Sequence, residues 1–327
     1  MGPPPEGVDK CVVLPAFVNA HTHLGDAGAY PAPKIPITEL VAPPDGYKHR
    51  TLRSMDRGRK VSAIRDSIQL MMDTGTSEFC DFREEGIEGI RCLKEALRDS
   101  DIRARILGRP SGDRDLVQEL SEIMRESDGI GMSGIGDLPF GVLSKASLSA
   151  RTSGKVFSIH ASEVQREDID KILELKPSSL IHMTHATERD LLTCAEEGVP
   201  VVVCPLTYEF FGIGYSIRRM LDSGLTVALG TDNAMISRPD MLEASKAAYR
   251  SGSATPREAL HLAVFGGRKV LYANAQITTD IAHGDDFVAI RVKGEDPLLE
   301  LVTAADSEDI VAVVNGRRER RRHSWMR

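Results

Sequence analysis

The sequence predicts an α/β protein built on one (β/α)8 barrel of the TIM type, followed by a small, abbreviated β-sandwich appendage. Short apolar, β-branched runs alternate with amphipathic stretches through most of the chain, and counting from Val12 gives about eight β-then-α units. Such alternation indicates parallel strands joined by right-handed helical crossovers. Eight units favour a closed barrel over a doubly wound sheet, and 327 residues suffice for a barrel of about 250 residues plus an appendage.

The chain divides into three predicted parts: a lead-in at residues 1–11, the barrel at 12–275, and a C-terminal β appendage with a basic tail at 276–327. Inside the barrel, the stretch Leu24–Arg57 is rich in proline and glycine and is predicted to be irregular. A connection of that length usually serves as a lid or a binding loop. In the appendage, Asn315-Gly316 follows a β-branched run and predicts a hairpin turn.

Composition and charge exclude several classes of protein. The net charge of −7 gives no support to nucleic-acid binding, and the basic cluster at residues 317–322 is interpreted as a solvated tail. No apolar run approaches the roughly 18 residues that span a bilayer. The N-terminus lacks the pattern of a secretory signal. The 5 cysteines are unclustered, which predicts reduced thiols and a cytoplasmic location.

A pair of histidines ends the first predicted strand. The apolar run Val12–Val18 is followed two residues later by His21-Thr22-His23. Side chains two apart on a strand point to the same side, so His21 and His23 are predicted to project together. Neutral imidazole nitrogens bind zinc and similar metals, although an isolated pair of this spacing also occurs by chance on protein surfaces.

Three further strands end in side chains of compatible chemistry. His160 ends the predicted fifth strand, His182 lies on the sixth, and Asp232 ends the eighth. Barrel enzymes keep their active sites on the face where the strands end. Taken singly, His160 could be a core histidine and Asp232 a helix cap. His160 and Asp232, together with His21 and His23, predict a site for a first-row metal ion. This site has three imidazoles, one carboxylate and an open position for water.

These residues lie in motifs that resemble the amidohydrolase superfamily. The motifs are Asn19-Ala20-His21-Thr22-His23, His160-Ala161-Ser162-Glu163, His182-Met183-Thr184-His185 and Gly230-Thr231-Asp232-Asn233. Within the superfamily, the sequence is similar to the branch of aminohydrolases and chlorohydrolases that includes guanine, cytosine, S-adenosylhomocysteine and triazine enzymes. The Cys204-Pro205 segment resembles the same branch. The resemblance runs from Val12 to about Arg318 and implies a metal-dependent hydrolase on a barrel fold.

The resemblance implies a role for each matching residue. It assigns the metal ligands as His21, His23, His160 and Asp232, and the catalytic residues as Glu163 (the proton shuttle), His182 and Asp232 (which orient the attacking water). Members that bind two metals carry a lysine on the fourth strand, and residues 129–138 contain none. The expected cofactor is therefore one divalent metal ion per chain, zinc by preference, with iron or manganese as alternatives.

Positions that follow the strands supply the predicted substrate-binding residues, which are Arg83, Glu84, Arg109, His185, Tyr208 and Glu209. For the charged members of this set, a surface salt bridge accounts equally well for the residue. The resemblance implies a small heterocyclic molecule as substrate, with neither nucleic acid nor membrane as partner. Homo-oligomers are common in the family.

The reaction that the resemblance implies is the hydrolytic deamination of an amino-substituted purine, pyrimidine, pterin or adenosyl-type compound. Two alternatives stay open. One is hydrolysis of a cyclic amide or a carbon–chlorine bond at the same site, and the other is a ligand-binding member without catalysis. Glu163 favours deamination, because proton transfer to a heterocycle requires a carboxyl group of raised pKa beside the metal.

Overall fold

The computed structural model describes residues 10–41, 45–111, 115–272, 286–315 and 318–321. Its strands, in chain order, are β1 (Cys11–Pro15), β2 (Phe17–His23), β3 (Thr76–Arg83), β4 (Arg103–Gly108), β5 (Gly129–Met132), β6 (Val156–Ala161), β7 (Ser179–His182), β8 (Val201–Val203), β9 (Val227–Leu229), β10 (Asp232–Asn233), β11 (Phe287–Arg291), β12 (Ile310–Asn315) and β13 (Arg318–Arg321). They form two sheets, one parallel and one antiparallel.

The parallel sheet closes into the predicted barrel. Strands β2 to β9 pair with their neighbours in chain order, and β10 pairs in parallel with β2 at the opposite edge. Only Gly230 and Thr231 separate β9 from β10, so these two strands form one interrupted strand that bridges β8 and β2. When β9 and β10 are counted as one strand, the parallel sheet of the described residues has eight strands. The (β/α)8 prediction is confirmed.

Helices connect the strands, and most of them pack outside the barrel. They are α1 (Ile37–Val41), α2 (Tyr47–Ser54), α3 (Arg57–Asp73), α4 (Gly86–Ala96), α5 (Leu116–Glu126), α6 (Phe140–Thr152), α7 (Ile169–Glu174), α8 (Glu188–Glu196), α9 (Pro205–Phe211), α10 (Ile217–Asp222), α11 (Met241–Arg250), α12 (Pro256–His261), α13 (Gly267–Leu271) and α14 (Pro297–Thr303). A 3₁₀ helix at Leu24–Ala29 follows β2, and a π-helical turn at Leu262–Gly266 joins α12 to α13.

Local sequence explains where several of these helices begin. Asp115 and Asp240 accept hydrogen bonds from backbone N–H groups in the first turns of α5 and α11. Thr187 and Asp190 form a reciprocal capping box at the start of α8. These side chains satisfy N–H groups that have no partner inside the helix, which typically contributes about 1 kcal/mol per cap.

The apolar run at the start of the chain is two strands, not the single strand that the sequence predicts. β1 pairs antiparallel with β11 in the small sheet, whereas β2 joins the barrel. The change occurs at Ala16, whose N–H donates to Asp286 O, while the next N–H, of Phe17, donates to Gly75 O. Pro15 stands at the end of β1, but apolar residues continue on both sides of it, so the hydrophobic pattern alone does not mark the division.

The small sheet has the order β1–β11–β12–β13 and is antiparallel throughout. Asn315 of β12 lies opposite Arg318 of β13, as a hairpin at this place requires, although residues 316–317 of the predicted turn lie outside the described residues. Arg318–Arg321 of the predicted tail form a strand, and residues 322–327 lie outside the described part. The boundaries at residues 12 and 276 stay a prediction, with β1 contributing to the C-terminal sheet.

The stretch Leu24–Arg57 is more regular than predicted. Its described residues contain the 3₁₀ helix at Leu24–Ala29 and the helices α1 and α2, while residues 42–44 fall outside the description. Leu40 of α1 and Leu52 of α2 are buried, so this segment packs on the barrel mouth. Across the described ranges, we find no helix that combines the length and apolar character needed to cross a membrane.

Gly230 allows the close approach that brings the last barrel strand against the first. A Cβ atom at this position would lie 2.8 Å from both the Cβ atom and the carbonyl oxygen of His21. We expect Gly230→Ala to lower the free energy of unfolding by about 2 kcal/mol, because overpacking against backbone forces the strands apart. Chemical denaturation measures this difference. Gly141→Ala is the matched control, since an added Cβ there meets nothing within 4 Å, and an equal loss in both variants would contradict the interpretation.

Candidate metal centre

The four predicted metal ligands meet at the C-terminal end of the barrel. His21 and His23 lie on β2, His160 on β6 and Asp232 on β10. His21 Nε2 is 3.3 Å and His23 Nε2 is 3.5 Å from Asp232 Oδ1. The Nε2 atoms of His23 and His160 are 3.4 Å apart. One donor atom from each of these side chains lies within 4.8 Å of the others, which is the separation that ligands of a single ion require.

The donor atoms in this cluster fit a metal ion. Both ring nitrogens of His21 are buried, and Nδ1 has no hydrogen-bond partner among the described residues, while Nε2 faces Asp232 Oδ1 of the same cluster at 3.3 Å. A buried polar atom without a partner typically costs about 1–3 kcal/mol. A cation between the three imidazoles and the carboxylate of Asp232 would accept the lone pair of one nitrogen from each ring. Three neutral donors and one carboxylate match a first-row divalent ion.

Outer contacts hold the cluster in a ligating orientation. His160 Nδ1–H donates to Met132 O at 2.8 Å, which leaves the lone pair on Nε2 directed at the cluster. Asp232 Oδ2 accepts a hydrogen bond from Thr207 Oγ1 at 2.7 Å, so Oδ1 faces the histidines. His23 Nδ1 lies 2.9 Å from Glu84 Oε1. Such partners fix the ring orientation and tautomer of metal-binding side chains.

The electrostatic environment keeps His21, His160 and His182 neutral, whereas the negative charge of Glu84 outweighs burial and raises the pKa of His23. Burial lowers the pKa of His160 well below its usual value, and the neighbouring His21 and His182 lower it further. Burial also lowers the pKa of His182 to about 3. Only the neutral imidazole has a free lone pair, so these shifts favour binding of a cation and of polar reactants.

Glu163 and His182 form a second polar group beside the metal ligands. Glu163 Oε1 is 3.4 Å from His182 Nε2, and the opposite ring nitrogen of His182 is hydrogen-bonded to Tyr208 OH at 3.1 Å. Burial, reinforced by the negative charge of Asp232, raises the pKa of Glu163 to about 8. A carboxyl group with this pKa can both give and accept a proton near neutral pH.

Three adjoining cavities surround these groups. The central cavity, about 190 Å³, is lined by ligands of the cluster, by Glu163 and His182, and by Arg109. A polar cavity of about 750 Å³ shares Arg109 and Glu84 with it. On the other side, a cavity of about 390 Å³ has a mostly apolar lining, which includes Phe211. The metal cluster therefore faces a cavity that shares lining residues with two neighbouring cavities of different polarity.

Half of the predicted substrate-binding residues line these cavities. Glu84 and Arg109 line the central one, where Arg109 Nη2 is 3.1 Å from Asp137 Oδ1. His185 is exposed and lines the mostly apolar cavity together with Glu163. Glu84 also contacts the ligand His23, so it orients a metal ligand as well as lining the cavity.

The remaining predicted substrate-binding residues lie elsewhere. Arg83 is fully buried beneath the cavity, with its guanidinium 3.1 Å from Glu84 Oε2. Tyr208 is buried behind His182 and lines none of the three cavities. Glu209, next along α9, pairs with Arg250 of α11 at 2.8 Å on the outer surface. A position after a strand does not by itself place a side chain in a cavity, because neighbouring residues on a short helix point in different directions.

Three polar residues of the site were missed in the sequence. Lys48 and Asp26 come from the stretch predicted to be irregular, and their side chains are 2.6 Å apart and buried. Thr207 lies on α9, a helix that the sequence pattern does not predict. None of the three residues stands in a motif with the spacing of metal ligands or catalytic residues, so only the folded arrangement identifies them.

Residues 12–317 match the model of the amidohydrolase family, and the chain belongs to that family. A relative from Archaeoglobus fulgidus, which its name classes provisionally as an aminohydrolase, is 34% identical over 314 residues, covering 94% of this chain and 87% of the relative. The prediction of a hydrolase that acts on carbon–nitrogen bonds is thereby confirmed.

Two solved structures share the fold. Guanine deaminase from E. coli superposes with a TM-score of 0.77 at 17% identity, covering 96% of this chain and 85% of that one. The zinc complex of the atrazine chlorohydrolase TrzN from Arthrobacter aurescens gives a TM-score of 0.74 at 18% identity, covering 93% and 82%. The similarity supports the barrel together with its small sheet.

His160 offers a direct test of the metal centre. We expect His160→Ala to reduce the retained divalent metal well below one ion per chain after dialysis, because the variant loses a buried neutral donor. Elemental analysis of the dialysed protein measures this content. His185→Ala is the control, since His185 lies near the same opening but outside the cluster, and equal metal in the two variants would contradict the assignment.

Proposed function

We propose that this protein hydrolytically deaminates an amino-substituted heterocycle at a centre with one zinc ion, held by His21, His23, His160 and Asp232. The observation that carries the proposal is the position of Glu163. Its carboxyl group reaches His182 and lines the same cavity as the metal cluster, yet it lies outside the set of donors. The names of the relatives agree, since an aminohydrolase, a guanine deaminase and a zinc-containing chlorohydrolase are among them.

The cluster supplies the nucleophile and the neighbouring residues orient it. A bound divalent metal lowers the pKa of water from near 16 towards roughly 7. Asp232 and His182 both line the central cavity, and a donor atom of each lies within 4.8 Å of the other, so both are placed to orient the attacking water. The neutral ring of His182 is held by Tyr208 OH, so its Nε2 atom has a fixed direction towards Glu163 and the cavity.

Glu163 moves both protons that the reaction requires. It passes the first proton of the water to the ring nitrogen beside the carbon under attack. It then transfers the second proton from the new hydroxyl group to the amino group, which leaves as ammonia while the carbonyl bond forms. These two transfers balance the addition of one water and the loss of one ammonia. The raised pKa of Glu163 suits a group that must alternate between acid and base.

The cavities support a small, partly polar substrate. The central cavity of about 190 Å³ has room for a ring, and the larger polar and the mostly apolar cavities have room for its substituents. The proposed substrate is a purine, pyrimidine, pterin or adenosyl-type compound, and the proposed location is the cytoplasm. Neither nucleic acid nor a membrane is a proposed partner.

Glu163→Gln separates proton transfer from metal binding. We expect its turnover to fall by about 10²–10⁴-fold, because an amide cannot shuttle protons, while its metal content stays at the wild-type level. Steady-state ammonia release and elemental analysis measure the two quantities. Glu196→Gln, an exposed position on α8, is the control and keeps wild-type turnover. Wild-type turnover in Glu163→Gln would show that another group carries the proton.

A screen for released ammonia identifies the substrate class. Pterins, purines, pyrimidines and adenosyl compounds are each incubated with the zinc-loaded enzyme, and triazines are assayed in parallel for chloride. Ammonia from one class, absent in the Glu163→Gln variant, supports the proposal. Chloride without ammonia, or hydrolysis of a cyclic amide alone, would replace it with the alternative hydrolase chemistry.

A further inference from the structure

The Lys48 ammonium lies among a second group of side chains of the kind that bind metal ions, next to the four-residue cluster. It lies 2.6 Å from Asp26 Oδ2 and 2.6 Å from Glu84 Oε1. The side chains of His23, Asp26 and Glu84 bring donor atoms within 4.8 Å of one another, and all three residues are buried. This group shares only His23 with the four-residue cluster.

We propose that the Lys48 ammonium fills a second cation position beside the metal centre, and that this position binds a divalent ion when the ammonium is removed. The position would then belong to a hard, oxygen-preferring ion such as Mn²⁺ or Mg²⁺, because its two charged donors are carboxylates. In the native chain the lysine takes that place, so the centre holds a single metal ion.

The contacts around Asp26 are those of a cation site. Asp26 is fully buried, and its Oδ1 atom has no hydrogen-bond partner among the described residues. Its Oδ2 atom accepts from Asn233 Nδ2 at 2.8 Å in addition to the ammonium. One carboxylate oxygen is therefore already available for an ion that binds more donors than an ammonium does.

Charge favours a cation at this position, because two buried carboxylates repel each other. Arg83 contacts Glu84 Oε2 at 3.1 Å, and Lys48 contacts both Glu84 and Asp26. Lys48 is itself buried, and its pKa is raised by the two carboxylates, which outweigh the effect of burial. The ammonium thus serves as a built-in counter-ion, one charge smaller than a divalent metal.

The position also links the segment above the barrel mouth to the metal centre. Lys48 lies on α2, and Glu84, which follows β3, contacts both the ammonium and His23 Nδ1. The side chain of Lys48 is consequently a positioning residue for His23, acting through Glu84. The second cation position determines how many metal ions the chain binds. This property is separate from the proposed reaction and does not depend on turnover.

Titration with Mn²⁺ tests the second position directly. Zinc-loaded wild type, Lys48→Met and Lys48→Arg are titrated with Mn²⁺ by calorimetry, and the bound manganese is counted after gel filtration. We expect one additional Mn²⁺ per chain in Lys48→Met and none in the wild type or in Lys48→Arg, which retains a cation. The double variant Lys48→Met/Asp26→Asn returns to none, because it lacks one carboxylate. No additional Mn²⁺ in Lys48→Met, or one in Lys48→Arg, would overturn the inference.

A folding measurement covers the case in which Lys48→Met is unstable. The unpaired carboxylates would then destabilise the chain, and circular dichroism would show recovery of folding on addition of Mn²⁺. Recovery with the Asp26→Asn substitution but not with Mn²⁺ would contradict the inference. Both experiments compare metal binding or folding between variants and require no turnover. Failure of the proposed function has a different sign, which is the absence of ammonia release by the wild type.

Discussion

Closure of the barrel between its last and first strands is the constraint on which the site depends. Asn19 of β2 makes two hydrogen bonds to Thr231, donating from Nδ2 to Oγ1 at 2.7 Å and accepting the backbone N–H at 3.0 Å. Gly230 lies against His21 without a side chain between them. This junction sets Asp232 beside the two histidines of β2, which are more than 200 positions away in sequence. Three of the four proposed metal ligands, His21, His23 and Asp232, are brought together by the same contacts that close the fold.

Carboxylates in the mouth of the barrel contact positive or metal-binding side chains. The four-residue cluster sets three imidazoles around the carboxylate of Asp232, while Lys48 contacts Asp26 and Glu84 beside it and Arg83 also contacts Glu84. Glu163 is the exception, since burial and the nearby charge of Asp232 favour its protonated form. A carboxyl group kept out of ion pairs and out of the metal cluster is free to exchange protons, which is what a deaminase requires.

The sequence carried enough information for the barrel and for the central side chains. The His-x-His pair, His160, Glu163, His182 and Asp232 each stand at the end of a β-branched run, and parallel strands bring such ends to one face. The division between β1 and β2 could not be read, because both strands are apolar and the change of sheet depends on tertiary hydrogen bonds at Ala16 and Phe17. The fold is therefore predictable where local pattern and topology agree.

The outer residues of the site were predicted less well for a physical reason. Glu209 and Tyr208 are neighbours in sequence. Glu209 pairs with Arg250 on the surface, whereas Tyr208 is buried behind His182. The direction of a side chain on a seven-residue helix such as α9 depends on packing that no spacing rule encodes. Lys48 was missed because its buried position depends on the folding of Leu24–Arg57 over the barrel mouth.

A crystal structure of the zinc-loaded protein, with anomalous data collected at the zinc edge, tests the central claim most directly. We predict one anomalous peak per chain, about 2.0–2.2 Å from its donor atoms. The expected donors are the ring nitrogens of His21, His23 and His160 and a carboxylate oxygen of Asp232. A peak held by other residues, or none at this position in protein that contains zinc, would contradict the account.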